Sequence, residues 1–484
     1  PPARPFKQLQ LGCALKLRQQ VADRRLGYAQ LFGSRRDGSG LNYRVKRLIL
    51  SKRGQHLLSI SENIIASQNI HISHDAFPTA LFLSDRPPWA MGCNSVTDQK
   101  KSVVIIGAGI VGVSTAIWLQ RDGHEVTIVD RLGPAEGTSY GNGGVLASCA
   151  VVPVTVPGLL RKAPHMLLDK DQPLFLKWGY LPRLMPWLTR YLRHANATDA
   201  ERIAAALTPV IGDSLADHQA LSQGTGAEKW VVPSDYMFLY RNRAGYESDA
   251  FVWNLRRKMG FDWSEMDAGA LQAYDPVFDP ELGFAIRLTD HGRISDPGQY
   301  VKDLAAHMQA RGGRLVIGDV TDIARENGAV TGVRVGGETL PCDAAVIATG
   351  VWSGPLAAKL GLKVPLESER GYHIEFWNPS VMPRSPVMVT SGKFVATPME
   401  GRLRLAGVVE FGGLDAEPSQ APFELLKRQG LAAFPGLEYS EITEWMGHRP
   451  APADSIPVIG EIPGLSGAFT GFGHHHVGLT GGPK

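Results

Sequence analysis

The chain has 484 residues, of which 44% are hydrophobic and 20% charged; this excludes a disordered or fibrous protein and allows two or three domains. Its formal net charge of +3 is uneven, because residues 1–98 contain fourteen Lys and Arg against six Asp and Glu and so carry +8, leaving −5 for the remainder. The four cysteines (Cys13, Cys93, Cys149 and Cys342) form no Cys-x-x-Cys pair, which argues against a zinc site or a disulfide framework, and no apolar run approaches the about 18 residues that a membrane span needs.

The first 98 residues form a basic segment without a sustained helical or strand period. A nucleic-acid-binding arm is one interpretation of its arginine clusters. However, Met91 stands ten residues before the first strong strand pattern, at a place where a cytosolic reading frame could begin. We therefore expect residues 1–90 to be an unstructured or non-native extension, and we expect no nucleic-acid partner.

A nucleotide-binding unit begins at Lys101. Ser102–Ile106 is a continuous apolar run typical of a parallel strand buried on both faces, and it leads directly into Gly107-Ala108-Gly109-Ile110-Val111-Gly112. A helix is predicted over 113–121 and a second strand over 125–129. Asp130 ends this strand, 23 positions after Gly107. Strand, glycine pattern, helix and acidic residue together predict a dinucleotide site.

Each residue of this fingerprint has a physical role. Gly107 allows the tight turn, Gly109 lets the backbone approach a pyrophosphate at the helix N-terminus, and Gly112 lets the helix lie against the strand. Asp130 can accept hydrogen bonds from a ribose diol and disfavours a 2′-phosphate. The fingerprint itself leaves NAD and FAD as alternatives.

The remaining chain alternates between two kinds of pattern. A helix is predicted from Pro297, capped by Asp296, to Arg311. The predicted strands are 314–317, 321–325, 330–335 and 343–348, followed by the antiparallel strands 372–377, 394–398 and 402–409. These patterns predict an α/β nucleotide domain (101–150, 291–365 and 449–484) interleaved with an α+β domain on an antiparallel sheet (151–290 and 366–448).

A loop of small and amide residues, Gly137-Thr138-Ser139-Tyr140-Gly141-Asn142-Gly143-Gly144, follows the nucleotide-binding unit. Four further motifs follow in order: Ala348-Thr349-Gly350-Val351-Trp352-Ser353, Arg370-Gly371-Tyr372, Gly447-His448-Arg449-Pro450 and Gly471-Phe472-Gly473-His474. With this ordered set, residues 101–484 resemble the D-amino acid oxidase and dehydrogenase superfamily of FAD enzymes, in particular bacterial D-amino acid dehydrogenases of the small-subunit type.

The resemblance implies FAD as the cofactor and a Rossmann-like FAD-binding domain. It implies the following cofactor-binding residues: Gly107, Gly109, Ile110, Val111, Gly112, Asp130, Arg131, Ser139, Asn142, Gly143, Gly144, Val320, Gly350, Trp352, Gly473, His474 and Gly478. The implied reaction is oxidative deamination of a D-amino acid, or of a cyclic substrate such as a D-hydroxyproline, by hydride transfer to flavin N5.

Two other functions stay open at this stage. The first is an oxidase of sarcosine or glycine. The second is a catalytically impaired FAD-binding protein, because the family continues into a further helix where this chain stops at Lys484. The electron acceptor, quinone or O2, is also open.

Two residues are predicted to act on the substrate. The planar guanidinium of Arg449 matches a carboxylate, and Pro450 and Pro452 stiffen the backbone around it. The resemblance implies that Arg449 binds the substrate carboxylate. Tyr372 and His373 alternate on a strand, so only one of them can face a cleft; the resemblance favours Tyr372, and packing of both residues is the alternative.

Two further segments have competing interpretations. His474, His475 and His476 invite a metal site, but three adjacent side chains do not converge easily on one ion, so we expect no metal. Residues 174–193 are aromatic, apolar and basic, which suits either a membrane interface or a packed helix. We expect a cytoplasmic enzyme, with peripheral contact to the inner face of the membrane as the open alternative.

Overall fold

The computed structural model describes residues 100–159, 161 and 172–484, so the predictions for residues 1–98 lie outside it. The strands of the described residues are, in chain order, β1 (Ser102–Ile106), β2 (Glu125–Asp130), β3 (Val145–Leu146), β4 (Leu174–Leu176), β5 (Val231–Tyr240), β6 (Ser264–Asp267), β7 (Phe284–Ile294), β8 (Arg314–Ile317), β9 (Val320–Glu326), β10 (Ala329–Val335), β11 (Glu338–Pro341), β12 (Ala344–Ile347), β13 (Leu366–Trp377), β14 (Val387–Val389), β15 (Phe394–Met399), β16 (Arg402–Phe411), β17 (Glu441–Pro452), β18 (Val458–Glu461) and β19 (Ala468–Phe472). The helices are α1 (Ile110–Arg121), α2 (Leu181–Arg193), α3 (Ala197–Ile211), α4 (Ser214–Ser222), α5 (Arg243–Ser248), α6 (Ala250–Lys258), α7 (Ala268–Tyr274), α8 (Pro297–Ala310), α9 (Ser353–Lys359), α10 (Gln420–Ala433) and α11 (Gly478–Gly481).

A six-stranded sheet in the order β18-β19-β12-β1-β2-β8 carries the nucleotide-type half of the fold. Its strands are parallel except for β18. The apolar run of β1 is buried on both faces, because Val103 and Ile105 pack with α1 and α8 while Val104 and Ile106 pack with β9, β10 and α9.

A second sheet follows the order β17-β13-β16-β15-β14-β5-β7-β3, with β4 on β16 and β6 on β7. It is antiparallel except where β4 meets β16 and β5 meets β14. Helix α10 covers one face, where Phe423 and Leu426 pack with Ile374 and Phe376 of β13. The predicted fold class, a parallel nucleotide sheet with an α+β part on an antiparallel sheet, is confirmed.

Two strands run across the predicted domain boundaries. Strand β7 continues through residues 290 and 291, and β17 continues through 448 and 449. Arg449 therefore lies within the antiparallel sheet, directly opposite Glu369 of β13. The division into domains remains a prediction, and these strands join its parts.

The aromatic and basic segment at 174–193 contains helix α2. Leu184, Trp187 and Tyr191 are buried against Phe411 of β16 and the end of β17, and the Trp187 indole N–H donates to the Ala451 carbonyl at 3.0 Å. The apolar face of α2 is thus used in packing. None of the helices in the described part of the chain is long and apolar enough to cross a membrane; peripheral membrane contact stays a prediction.

Candidate active site

A cavity of about 320 Å³ opens where the glycine-rich turn, the end of β2 and the chain near its C-terminus meet. Fourteen of the residues predicted to bind the cofactor line it: Gly107, Gly109, Ile110, Val111, Asp130, Arg131, Ser139, Asn142, Val320, Gly350, Trp352, Gly473, His474 and Gly478. The structure therefore brings together residues that are more than 370 positions apart in the sequence.

Glycines shape the turn between β1 and α1. Gly107 has a φ of +110°, and a Cβ there would lie 2.5 Å from the Ala348 carbonyl oxygen. A Cβ at Gly112 would lie 2.0 Å from the Gly107 carbonyl oxygen. Gly112 therefore acts by close packing of the helix on the turn, which explains why it is not part of the cavity lining.

The N-terminus of α1 points at this cavity. Its N-cap, Gly109, has no side chain, and the Oγ of Ser139 accepts a hydrogen bond from the Ile110 N–H at 2.9 Å. A helix N-terminus with free backbone N–H groups favours a phosphate. The turn and helix thus have the geometry of a pyrophosphate cradle.

Asp130 anchors the other side of the turn. Its carboxylate accepts from the N–H groups of Ala108 (2.8 Å), Leu132 (2.9 Å) and Gly133 (3.0 Å). A carboxylate offers roughly four lone-pair positions, so Asp130 can still accept from a ribose hydroxyl while it holds the turn. The residues present therefore fit a dinucleotide cofactor.

An aromatic and cationic wall continues the cavity. The guanidinium of Arg131 lies over the Trp352 ring, with its Cζ 4.1 Å from the ring centroid. Gly350, with a φ of +59°, begins the short 3-10 turn that carries Trp352. This stacking fixes the orientation of both side chains at the cavity edge.

The wall near the C-terminus contains a buried acid–histidine pair. The Nε2 of His475 lies 2.5 Å from an oxygen of Glu369, and both side chains are almost fully buried. Burial alone would raise the pKa of Glu369, but His475 and Arg449 outweigh it and hold the pKa of this carboxyl below its ordinary value. Among the described residues, no cluster of His, Cys, Asp and Glu has a geometry that could hold a metal ion.

Arg449 lies beside this pair with an open guanidinium. It is partly exposed, and its guanidinium makes no hydrogen bond or ion pair within the described part of the chain. The next residue, Pro450, lines the cavity, whereas Arg449 itself does not. A Cβ at Gly371 would lie 2.5 Å from the Arg449 Cζ, so the missing side chain at 371 provides the room that this guanidinium occupies.

Tyr372 is separated from this group. Side chains alternate along β13, so Glu369 and Gly371 face Arg449 while Tyr372 faces α10. Tyr372 is 1% exposed, and its hydroxyl donates to Glu410 at 2.6 Å and accepts from the Ser419 N–H at 3.0 Å. The position of Tyr372 is the one that the packing alternative describes.

Gly143 and Gly144 lie in the loop behind the cavity lining rather than on the cavity surface. Gly144 has a φ of +74°, and a Cβ there would clash with the Ile294 carbonyl oxygen at 2.9 Å. These residues shape the path of the loop toward β3. Their expected role as direct cofactor contacts stays a prediction.

Sequence reasoning missed several residues at this site. The most informative are His475, which lines the cavity, Glu369, which pairs with His475, and Gly371, which leaves room for the Arg449 guanidinium. The alternation along β13 could have paired Glu369 with Arg449 once the register of β13 and β17 was known. That register joins residues about 80 positions apart, and no local pattern specifies it.

Comparisons with known proteins identify the family of this chain. The family model for FAD dependent oxidoreductases, DAO, matches residues 102–483. A protein of Bradyrhizobium diazoefficiens named D-amino-acid oxidase is 37% identical over 394 residues, which cover 80% of this chain and 93% of the relative. A D-amino acid dehydrogenase of Rhizobium rhizogenes is 29% identical over 389 residues, covering 78% of this chain and 92% of the relative.

A solved structure, the glycine oxidase of Bacillus cereus, has a TM-score of 0.62 at 20% identity and covers 79% of this chain and 94% of its own. At this identity the likeness concerns the fold alone. The family match, by contrast, spans nearly all of the described residues and includes the cavity. The chain belongs to the DAO family of FAD-dependent oxidoreductases.

Proposed function

We propose that the protein catalyses the oxidative deamination of D-amino acids and that Arg449 binds the substrate carboxylate. The observation that carries this proposal is the unpartnered guanidinium of Arg449 beside a cavity that fits FAD. The names of relatives 37% and 29% identical to this chain support the choice of D-amino acids.

Binding of the carboxylate is the first task of the chain. A guanidinium can form two parallel hydrogen bonds with a carboxylate, which fixes the orientation of the substrate as well as its position. Glu369 is the nearby competitor for Arg449, but its carboxylate is hydrogen-bonded to His475. The His475–Glu369 pair therefore leaves Arg449 available for an incoming acid.

Beyond binding the carboxylate, the protein's main task is to orient the substrate for the reaction. FAD, when bound, supplies the two-electron oxidant for the substrate's carbon–nitrogen bond. The chain holds the α-carbon in place through the carboxylate, and the amine needs only to lose its ammonium proton. For a substrate with a primary amine, the resulting imino acid reacts with water to give a 2-oxo acid and ammonia, whereas a cyclic substrate gives a cyclic imine and no ammonia. Loss of the ammonium proton requires no dedicated base.

A product assay tests this proposal. The purified protein, saturated with FAD, is incubated with matched D- and L-amino acids, D-hydroxyproline, glycine and sarcosine. Turnover of every substrate is followed by the reduction of an added electron acceptor, and ammonia and the 2-oxo acid are measured for the substrates with a primary amine. We expect turnover of D-enantiomers well above that of their L-enantiomers. Faster turnover of sarcosine or glycine than of any D-amino acid would replace the proposal with the amine oxidase alternative.

The same assay addresses the electron acceptor. Run with O2 alone and then with a quinone analogue under anaerobic conditions, it separates an oxidase from a dehydrogenase. Hydrogen peroxide formed in proportion to ammonia indicates an oxidase. Ammonia that appears only with the quinone analogue indicates a dehydrogenase.

A further inference from the structure

The loop of residues 140–144 is held by its carbonyl groups against the antiparallel sheet. The Nη1 of Arg404 donates to the carbonyls of Tyr140 (3.0 Å) and Asn142 (2.5 Å). The Nδ1–H of His373 donates to the Gly141 carbonyl at 3.0 Å, and the Thr397 hydroxyl donates to the Gly143 carbonyl at 2.6 Å. Four consecutive carbonyls are thus bound by side chains.

These donors come from three neighbouring strands of one sheet. His373 lies on β13, Thr397 on β15 and Arg404 on β16. All three side chains are buried, with exposures of 2%, 0% and 0%. A loop bound at every carbonyl from a rigid sheet has little freedom to change its path.

The positive charge of Arg404 is balanced by a buried network of charged side chains. Glu375 pairs with Arg404 at 2.7 Å and with Arg402 at 2.7 Å, and Arg402 also pairs with Asp296 at 3.0 Å. Although burial of Glu375 raises its pKa, the two arginines outweigh this effect and hold the pKa at about 2. Glu375 therefore stays charged, and Arg404 keeps a partner without turning away from the loop.

The opposite side of the same peptides is left free. The N–H groups of Gly141, Asn142 and Gly143 have no hydrogen-bond partner among the described residues, and Asn142 lines the cavity. Gly141, Asn142 and Gly143 are partly exposed, and of these three residues Asn142 is the one that lines the cavity. Its N–H can therefore donate to an acceptor atom of a bound cofactor.

We propose that Arg404, His373 and Thr397 are positioning residues for the flavin, which hold the carbonyls of the 140–144 loop so that the Asn142 N–H can bind the cofactor. Hydrogen bonds to the carbonyl oxygens also polarise the peptides and strengthen their N–H groups as donors. The three donors belong to the same sheet as Arg449. This inference concerns FAD binding and is independent of the identity of the substrate.

The mildest test removes one hydroxyl. Thr397→Val keeps the shape of the side chain but cannot donate to Gly143, and Thr397→Ser restores the donor. Thr390→Val is the matched control. The Thr390 hydroxyl donates to the carbonyl of Leu239 at 2.7 Å, and Leu239 belongs to β5, outside the 140–144 loop. Two quantities are measured: the dissociation constant of FAD and the hydrogen exchange of the amides at 140–144.

Loss of one such hydrogen bond corresponds to roughly a threefold to tenfold change in an equilibrium constant. We expect Thr397→Val to weaken FAD binding and to accelerate exchange in the loop by about this factor, with recovery in Thr397→Ser and no change in Thr390→Val. A folded Thr397→Val protein with wild-type FAD affinity and wild-type loop exchange would overturn the proposal.

A second pair of variants separates positioning from general stability. Arg404→Lys cannot bridge two loop carbonyls and Glu375 together, whereas Arg402→Lys perturbs the same Glu375 and leaves the loop contacts in place. We expect only Arg404→Lys to shift the visible absorption spectrum of the bound flavin and its midpoint potential. Equal effects of both variants would show that the network has only a structural role. If Arg404→Lys does not fold, the Thr397 series decides.

Discussion

Arg449 is the residue on which the proposed chemistry depends. The residue is partly exposed, and its guanidinium has no ion-pair partner in the described part of the chain and occupies the space that Gly371 leaves open. Comparable arginines elsewhere in the sheet, such as Arg370 with Glu410, are paired and fully buried. Arg449 therefore differs from these paired arginines because its guanidinium makes no ion pair with a protein carboxylate.

Replacement of Arg449 tests this role. We expect Arg449→Ala to lower kcat/KM for a D-amino acid by roughly 100-fold or more, as expected for loss of a charged partner. Arg449→Lys should recover part of this loss, because it keeps the charge without the bidentate geometry. Steady-state kinetics provide the measurement, with the exposed Arg190→Ala as control; unchanged kcat/KM in Arg449→Ala would remove the residue from the substrate site.

For Tyr372 we expect a substitution to affect stability rather than substrate binding. Its hydroxyl is hydrogen-bonded to the carboxylate of Glu410 and the backbone of Ser419, and burial followed by the hydrogen bond to Glu410 raises its pKa to about 12. Tyr372→Phe should lower the free energy of unfolding by about 1–3 kcal/mol, since it removes a hydrogen bond to a charged group. KM should stay within about twofold of wild type on the same structural argument. A large rise in KM with an unchanged Tm would instead return Tyr372 to the substrate site.

At the scale of elements, the unit β1–α1–β2 was predictable and the partners of β13 were not. The apolar run of β1, the glycines after it and Asp130 are local signals, and α1 differs from its prediction only by beginning at Ile110 rather than 113. Strand β13 begins at Leu366, six residues before the predicted start, because its charged and small residues Glu367, Ser368 and Glu369 mask a strand that is buried on both faces. The sites of Glu369 and Arg404 depend on strand pairing, which sequence periodicity does not specify.

The contact between α1 and the glycine turn provides a prediction at this scale. Gly112→Ala places a Cβ 2.0 Å from the Gly107 carbonyl oxygen, so the helix must move away from the turn. We expect loss of bound flavin, measured as the ratio of visible flavin absorption to protein absorption after purification, and a lower Tm. Gly354→Ala is the control, because a Cβ at this position has no neighbour within 4 Å. Normal flavin content in Gly112→Ala would contradict the proposed cradle.

At the scale of the whole molecule, buried neutral histidines determine how stability depends on pH. His218 donates from Nε2 to the Leu479 carbonyl and accepts at Nδ1 from Tyr300, and burial lowers its pKa to about 4. Burial and then Arg404 lower the pKa of His373 to about 3. Below pH 6.5, the ordinary value for histidine, both residues take up protons in the unfolded chain but not in the folded one.

Stability should therefore be fully present above about pH 6.5 and fall as the pH decreases toward 4, by up to about 1.4 kcal/mol per pH unit from each histidine. Glu375 adds to the loss below about pH 4.5, because its folded pKa is about 2. Thermal unfolding of the wild type and of His218→Gln at several pH values from 7 to 5 provides the measurement. The variant should show a shallower dependence of Tm on pH than the wild type. Parallel curves of Tm against pH for the two proteins would show that His218 does not contribute to this dependence.

We propose that this chain holds FAD in the cavity and oxidises a D-amino acid bound by Arg449. The most direct test mixes the purified, FAD-loaded protein with a D-amino acid under anaerobic conditions and follows the visible absorption of the flavin. We predict bleaching with the D-amino acid, much slower or no bleaching with its L-enantiomer, and loss of bleaching at the same concentration in Arg449→Ala. A flavin that binds the wild-type protein but stays oxidised with every D-amino acid tested would contradict the claim.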